Sequence, residues 1–141
     1  MVANAISSQS SLMVRPTAPG AVAGGVKWVL QFEGLALLAA ATAAYTHLGF
    51  GWGWFALFFL APDLTFAAYV FGPRWGAAAY NAAHSTVGPL AIGAAALALG
   101  SAPLEMAALI GLAHVGFDRM VGYGLKYATA FGDTHLGRKG R

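Results

Sequence analysis

Four long apolar stretches take up most of the chain, each close to the roughly 20 residues a helix needs to cross about 30 Å of hydrocarbon. They run over residues 28–48, 52–71, 75–99 and 104–121, and are separated by Gly49 to Gly51, by Gly72-Pro73-Arg74 and by Gly100-Ser101-Ala102-Pro103. Lipid tolerates only helices or closed barrels, and a barrel would need shorter, alternating segments. Runs of Ala and Leu such as Leu35 to Ala44 favour helix over a β-branched strand pattern. The expectation is therefore an all-α integral membrane four-helix bundle over residues 26–122. A flexible N-terminal tail would precede it over 1–25, and a short cytoplasmic interfacial segment would follow over 123–141.

Composition closes off the alternatives. Of 141 residues, 58% are hydrophobic and 9% charged, against roughly 25% charged in an ordinary soluble domain. That excludes a soluble enzyme with a solvated surface and, equally, a chain too polar to collapse. The absence of cysteine excludes disulfides, zinc–thiolate sites and thiol chemistry. The net charge is +3, but the eight Lys and Arg are too scattered to form a phosphate-neutralising face, so no nucleic-acid partner is expected. Residues 1–25 are rich in Ser, Ala, Gly and Pro, and Asn4, Ser7, Ser8 and Gln9 interrupt any apolar run. They read as a tail without periodicity, and a cleaved signal peptide is not expected.

Orientation follows from the cations. Arg15 and Lys27 precede the first stretch, Arg74 lies between the second and third, and Arg119, Lys126, Arg138, Lys139 and Arg141 lie at or beyond the end of the fourth. The other two connections carry none, so the positive-inside rule puts both termini in the cytoplasm. Trp28, Trp52, Trp54 and Trp75 stand at the predicted helix ends, where interfacial anchors belong.

Within this topology, a rise of about 1.5 Å per residue sets Asp63, His84 and His114 roughly 10 to 13 Å in from the cytoplasmic side, with Asp118 one turn nearer the surface and Glu33 shallow on the first helix. His114 and Asp118 are four apart and share a face, as do Tyr80 and His84, with Asn81 beside them. Groups this costly to insert should face one another or a wet cavity. The inference is a polar pocket open to the cytoplasm, with Asp63, His84, His114 and Asp118 as candidate ligands of one divalent metal (Zn, Mn or Fe). The same groups could relay protons, or form a network that only fixes packing. Pro62 and the pair Gly88-Pro89 should loosen the helical ladder beside the pocket.

Other polar positions have plainer readings. Glu33 is expected to pair with Lys27 or Arg119, and Glu105 opens the fourth helix, where a carboxylate suits the dipole. Ala36, Ala40 and Ala44 form a small-residue stripe for close packing within the bundle or between protomers. The segment after the fourth helix is aromatic and basic. It should lie in the interface, with Lys126 and Arg138 meeting lipid phosphates, and could fold under the bundle to set Asp133 and His135 at the pocket mouth. His135 is thus the candidate acid or base.

Several motifs then carry a resemblance. Ala61-Pro62-Asp63-Leu64, Gly72-Pro73-Arg74-Trp75-Gly76-Ala77 and Tyr80-Asn81-Ala82-Ala83-His84 are three of them. Ala113-His114-Val115-Gly116-Phe117-Asp118-Arg119, Gly122-Tyr123-Gly124-Leu125-Lys126 and Thr134-His135-Leu136-Gly137 complete the set. In this order, from about Leu30 to Arg138, the chain resembles a family of short bacterial membrane proteins known as a domain of unknown function. The resemblance implies a four-helix protein of the bacterial inner membrane and supplies no activity. No HExxH, GxSxG or Walker signature is present. Three functions stay open: a metal-dependent enzyme on a lipid-like or small amphiphilic substrate, a proton- or solute-passing protein that would need a homo-oligomer, and a structural accessory subunit. Membrane lipid is the partner common to all three.

Overall fold

The computed structural model describes residues 20–139, so most of the expected N-terminal tail and the last two residues lie outside the described residues. The protein is mostly helical, at 72%. Helix α1 spans Gly24–His47, α2 Trp52–Phe58, α3 Pro73–His84, α4 Val87–Leu99 and α5 Ala102–Met120, with a 3-10 helix over Ala61–Phe71 between α2 and α3. Three helical stretches are long and apolar enough to cross a membrane: Gly24–His47, Trp52–Phe71 and Pro73–Leu99.

The two interruptions have one cause. A proline ring collides with the carbonyl four residues before it and offers no N–H. Four residues before Pro62 is Phe58, the last residue of α2; four residues before Pro89 is Ser85, whose extended backbone (ψ 152°) ends α3. The loosening expected near these prolines is therefore seen one turn upstream of each. Beyond Pro62 the chain continues as a 3-10 helix of 11 residues, far longer than the three or four usual for that conformation.

Helix α5 is the centre of the structure. It packs along α1 and α4, and its Ala113, His114, Val115 and Gly116 are all buried. It is the one predicted crossing segment missing from the three apolar spans, because His114, Asp118, Arg119 and Glu105 lower its hydropathy. Its contact with α1 is backbone on backbone: a Cβ on Gly116 would stand 2.6 Å from Leu38 N and 2.8 Å from Gly34 O. The buried face of α1 is Gly34, Ala41 and Tyr45. Of the expected small-residue stripe, Ala36 and Ala40 are exposed, so the close packing of α1 within the chain does not run through them.

The segment after α5 folds back as a small two-stranded unit, β1 Asp133–Thr134 paired antiparallel with β2 Gly137–Arg138. Leu136 is fully buried, and Thr134 and Asp133 nearly so. Val22 N–H donates to the His135 carbonyl (2.8 Å) and the Tyr127 hydroxyl to the Gly20 carbonyl (3.2 Å), so the two described ends of the chain meet.

Candidate functional site

The 3-10 helix repeats every three residues, so side chains three apart eclipse one another on one face. That puts Asp63, Phe66 and Tyr69 in a row. Asp63 meets His84, while Phe66 and Tyr69 turn their rings to Lys126. Opposite them α3 presents Gly76, Ala77, Tyr80 and His84, its buried face, and α5 presents His114 and Asp118.

Four of the predicted residues are thereby brought together. His84 Nε2 lies 3.2 Å from Asp63 Oδ1 and 3.7 Å from Asp118 Oδ2; His114 Nε2 lies 3.7 Å and 4.0 Å from the same two oxygens. The imidazole rings meet edge to face, with centroids 4.9 Å apart. One ligand atom each from Asp63, His84 and His114 fall within 4.8 Å of one another, a group that could hold a metal ion. Asp118 stands one step back, its Oδ2 accepting the Tyr80 hydroxyl at 2.9 Å.

Proton placement makes this cluster unusual. His84 Nδ1 is 2.9 Å from the Tyr80 carbonyl, which can only accept, so Nδ1 carries the ring proton. The lone pair of a neutral His84 is then at Nε2 and points at a carboxylate oxygen. Two acceptors 3.2 Å apart require a proton or a cation between them. His114 is 1% exposed, and neither of its nitrogens has a hydrogen-bond partner among the described residues. Buried polar atoms left in that state cost roughly 1 to 3 kcal/mol each.

Beside the cluster is a cavity of about 330 Å³, lined by Asp63, Phe66, Tyr80, Phe117, Asp118, Tyr123, Lys126 and Phe131. Lys126 corrects one expectation: it is 7% exposed rather than among lipid phosphates. Its Nζ donates to the Phe131 carbonyl at 3.0 Å and sits 3.3 Å above the Phe131 ring, with Tyr80, Phe66 and Tyr69 around it at 4.7 to 5.4 Å. Burial lowers its pKa to about 8, while Asp118 and Asp63 pull the other way. Asn81 holds it there from the backbone: Lys126 N–H donates to Asn81 Oδ1 (2.7 Å), and Asn81 Nδ2 donates to the Lys126 carbonyl (2.8 Å). Nothing in the local sequence marks Lys126 for burial.

The remaining candidates are elsewhere. His135 is not in the cavity wall; its Nδ1 accepts the Leu125 N–H at 2.8 Å, and burial, then Arg119, lower its pKa. Asp133 pairs with Arg138 Nε at 2.9 Å, and the Arg138 side chain stays about half exposed. Glu33 is exposed, and among the described residues neither Lys27 nor Arg119 is within ion-pair reach of it. Arg119 instead turns to the carbonyl of His84 at 3.5 Å, beside the break after α3.

Comparison with known families fits this frame. The model of the family described as a domain of unknown function, DUF4260, matches residues 27–139. The chain belongs to the DUF4260 family. The match runs from the first turn of α1 to the end of β2, and takes in the whole His/Asp cluster and the Lys126 cage of this DUF4260 member. No curated protein and no solved structure matches the chain.

Proposed function

We propose that this is a multi-pass protein of the bacterial inner membrane whose Asp63, His84 and His114 hold one divalent transition metal, Zn, Mn or Fe, as the centre of an enzyme acting on a lipid-like or small amphiphilic substrate. The observation that carries the reading is the pair of acceptors left facing each other, joined by a buried His114 with no partner for either nitrogen. A tetrahedral ion with bonds of about 2.0 to 2.2 Å holds its ligand atoms roughly 3.4 Å apart. The two Asp63–His separations, 3.2 and 3.7 Å, bracket that value.

Two imidazoles and one carboxylate leave coordination positions open, the pattern of catalytic rather than structural sites. Such an ion would polarise an oxygen or lower the pKa of a bound water. The chain supports its ligands in the manner usual for metal-binding histidines: Nδ1–H of His84 is tied to a carbonyl, which fixes the ring and its tautomer. Asp118, held by Tyr80, is the nearest group able to take up a proton from a molecule in the cavity, and His135, engaged with Leu125, has no such access. An apolar groove of about 470 Å³ includes Pro62 and Ala83, the chain neighbours of Asp63 and His84, together with Pro89, Met106 and Ile110, and favours a substrate with an apolar part.

Membrane insertion rests on the three apolar spans and on Trp28, Trp52, Trp54 and Trp75, each more than half exposed. Meeting chain ends require an even number of crossings, and α5, about 28 Å long at 1.5 Å per residue, supplies the fourth. The cations cluster at that same end, which the positive-inside rule assigns to the cytoplasm.

The test is metal content. Full-length protein purified in neutral detergent should carry one Zn, Mn or Fe per chain by elemental mass spectrometry, lost in His84→Asn and His114→Asn. Absence of stoichiometric metal, together with no metal-dependent rise in melting temperature, would overturn the reading. A proton shared by Asp63 and His84 would then account for the contact.

A further inference from the structure

Apart from the proton or cation that the Asp63–His84 contact requires, the charged side chains of the polar layer balance one another. Asp63 and Asp118 stand against Arg119 and Lys126, and a histidine that ligates a metal does so as the neutral ring. Among the described residues no other carboxylate belongs to the layer: Glu33 is exposed on α1, Glu105 is in the first turn of α5, and Asp133 is taken by Arg138. A divalent cation bound by Asp63, His84 and His114 therefore adds two positive charges that no protein group offsets. Uncompensated charge in a low-dielectric site is expensive.

Lys126 sharpens this. A buried ammonium ordinarily has a carboxylate partner, yet among the described residues none lies within 4.0 Å of its Nζ. Its surroundings are aromatic faces, which stabilise a cation without neutralising it. Among the described residues only one of its three N–H donors has an acceptor, the Phe131 carbonyl. This cation lines the same cavity as Asp63, one of the three metal ligands.

We infer that the cavity takes a phosphate group, held between the metal position at Asp63, His84 and His114 and the ammonium of Lys126. The inference rests on the metal reading and goes beyond it, since that reading leaves the chemistry of the substrate open. The cavity, about 330 Å³, has room for a phosphate and the first atoms attached to it. The phosphate could belong to a soluble molecule or to a lipid headgroup; the chemistry recognised is the same.

The experiment uses full-length protein in neutral detergent, loaded with Mn²⁺, and reads paramagnetic relaxation of phosphorus nuclei in two probes, inorganic phosphate and dioleoylphosphatidic acid. Expected is strong relaxation of at least one probe, displaced by the other but not by dioleoylglycerol, which lacks the phosphate. Stronger binding of inorganic phosphate assigns a soluble ligand, and stronger binding of phosphatidic acid a lipid. Lys126→Met should weaken phosphate binding at least tenfold with Mn²⁺ stoichiometry unchanged, and Lys126→Arg should retain most of it. Full Mn²⁺ loading with neither probe relaxed, or with Lys126→Met binding as tightly as the wild type, overturns the inference and leaves the metal reading intact. Failure to load Mn²⁺, Zn²⁺ or Fe²⁺ at all overturns both. If Lys126→Met does not fold, the wild type decides: a bound phosphate probe that dioleoylglycerol displaces as well as the other phosphate probe does sinks the proposal.

Discussion

Helices α3 and α4 are halves of one apolar stretch by hydropathy, yet they do opposite work. α3 carries Tyr80, Asn81 and His84 on its buried side and contributes to the cluster, the cavity and the anchoring of the C-terminal segment. α4 has no side-chain polar group, buries little beyond Pro89 and Ala96, and leaves Val87, Leu90, Leu97 and Leu99 exposed. The hinge at Ser85 and Thr86 separates a half that recognises other parts of the protein from a half that suits hydrocarbon. The polar side chains of this stretch are confined to one end, and the other end is held by apolar packing against α5.

The contrast can be broken most severely at His84. His84→Asn should lower metal affinity by more than 100-fold, judged by the 10- to 100-fold cost of losing mere supporting contacts, whereas Leu90→Ala in α4 should leave it unchanged; isothermal titration of the purified variants compares them directly. Next in size is the packing of α5. Gly116→Val drives a side chain into the backbone of Leu38 and Gly34 and should cost about 1 to 3 kcal/mol or prevent folding. Gly93→Ala in α4 meets only Ala108 Cβ at 3.5 Å, an ordinary contact, and should be neutral or raise the melting temperature slightly.

Asn81→Ala sharpens the comparison from the other side. It leaves two backbone groups of Lys126 without partners, a cost of about 1 to 3 kcal/mol, and should speed amide exchange over residues 123–139 while sparing α4. The last effect is with pH and is read as a slope. The unfolded chain protonates Lys126 near 10.5 and the folded one near 8, so between these values the unfolded state binds more protons and stability rises with pH. The slope for this single proton is at most about 1.4 kcal/mol per pH unit, and Lys126→Met should abolish it in thermal melts of the detergent-solubilised protein.

Helix positions and the composition of the cluster were legible because both depend on quantities a sequence carries directly: apolar length, breaker spacing, and the depth of Asp63, His84 and His114 below a helix end. The rotation of each helix about its axis was not, and there the expectations diverged. A period of 3.6 cannot align Asp63 with Phe66 and Tyr69; the 3-10 geometry that does so arises from Pro62 and the packing of the whole segment against α3. Ala36, Ala40 and Ala44 looked like a packing stripe by spacing, but the close approach of α1 to α5 runs through Gly34 and Gly116, where the missing Cβ counts for more than small size. Lys126 read as lipid-facing because cations near a membrane usually are. Its burial is a tertiary fact, set by a hairpin too short to announce itself.

The stretched conformation of Ala61–Phe71 also settles a matter of reach. Eleven residues rising about 2.0 Å each extend roughly 22 Å, where an α-helix would manage about 16. The extra length adds to the reach of the apolar stretch from Trp52 to Phe71, which is long enough to cross a membrane. The same triangular cross-section gives the rod a dry edge of Leu64, Ala67 and Val70, all outward, a third of a turn away from the row that serves the cavity. One thin strut thus turns an apolar edge outward and a polar and aromatic row toward the cluster, without needing a partner to keep the two apart.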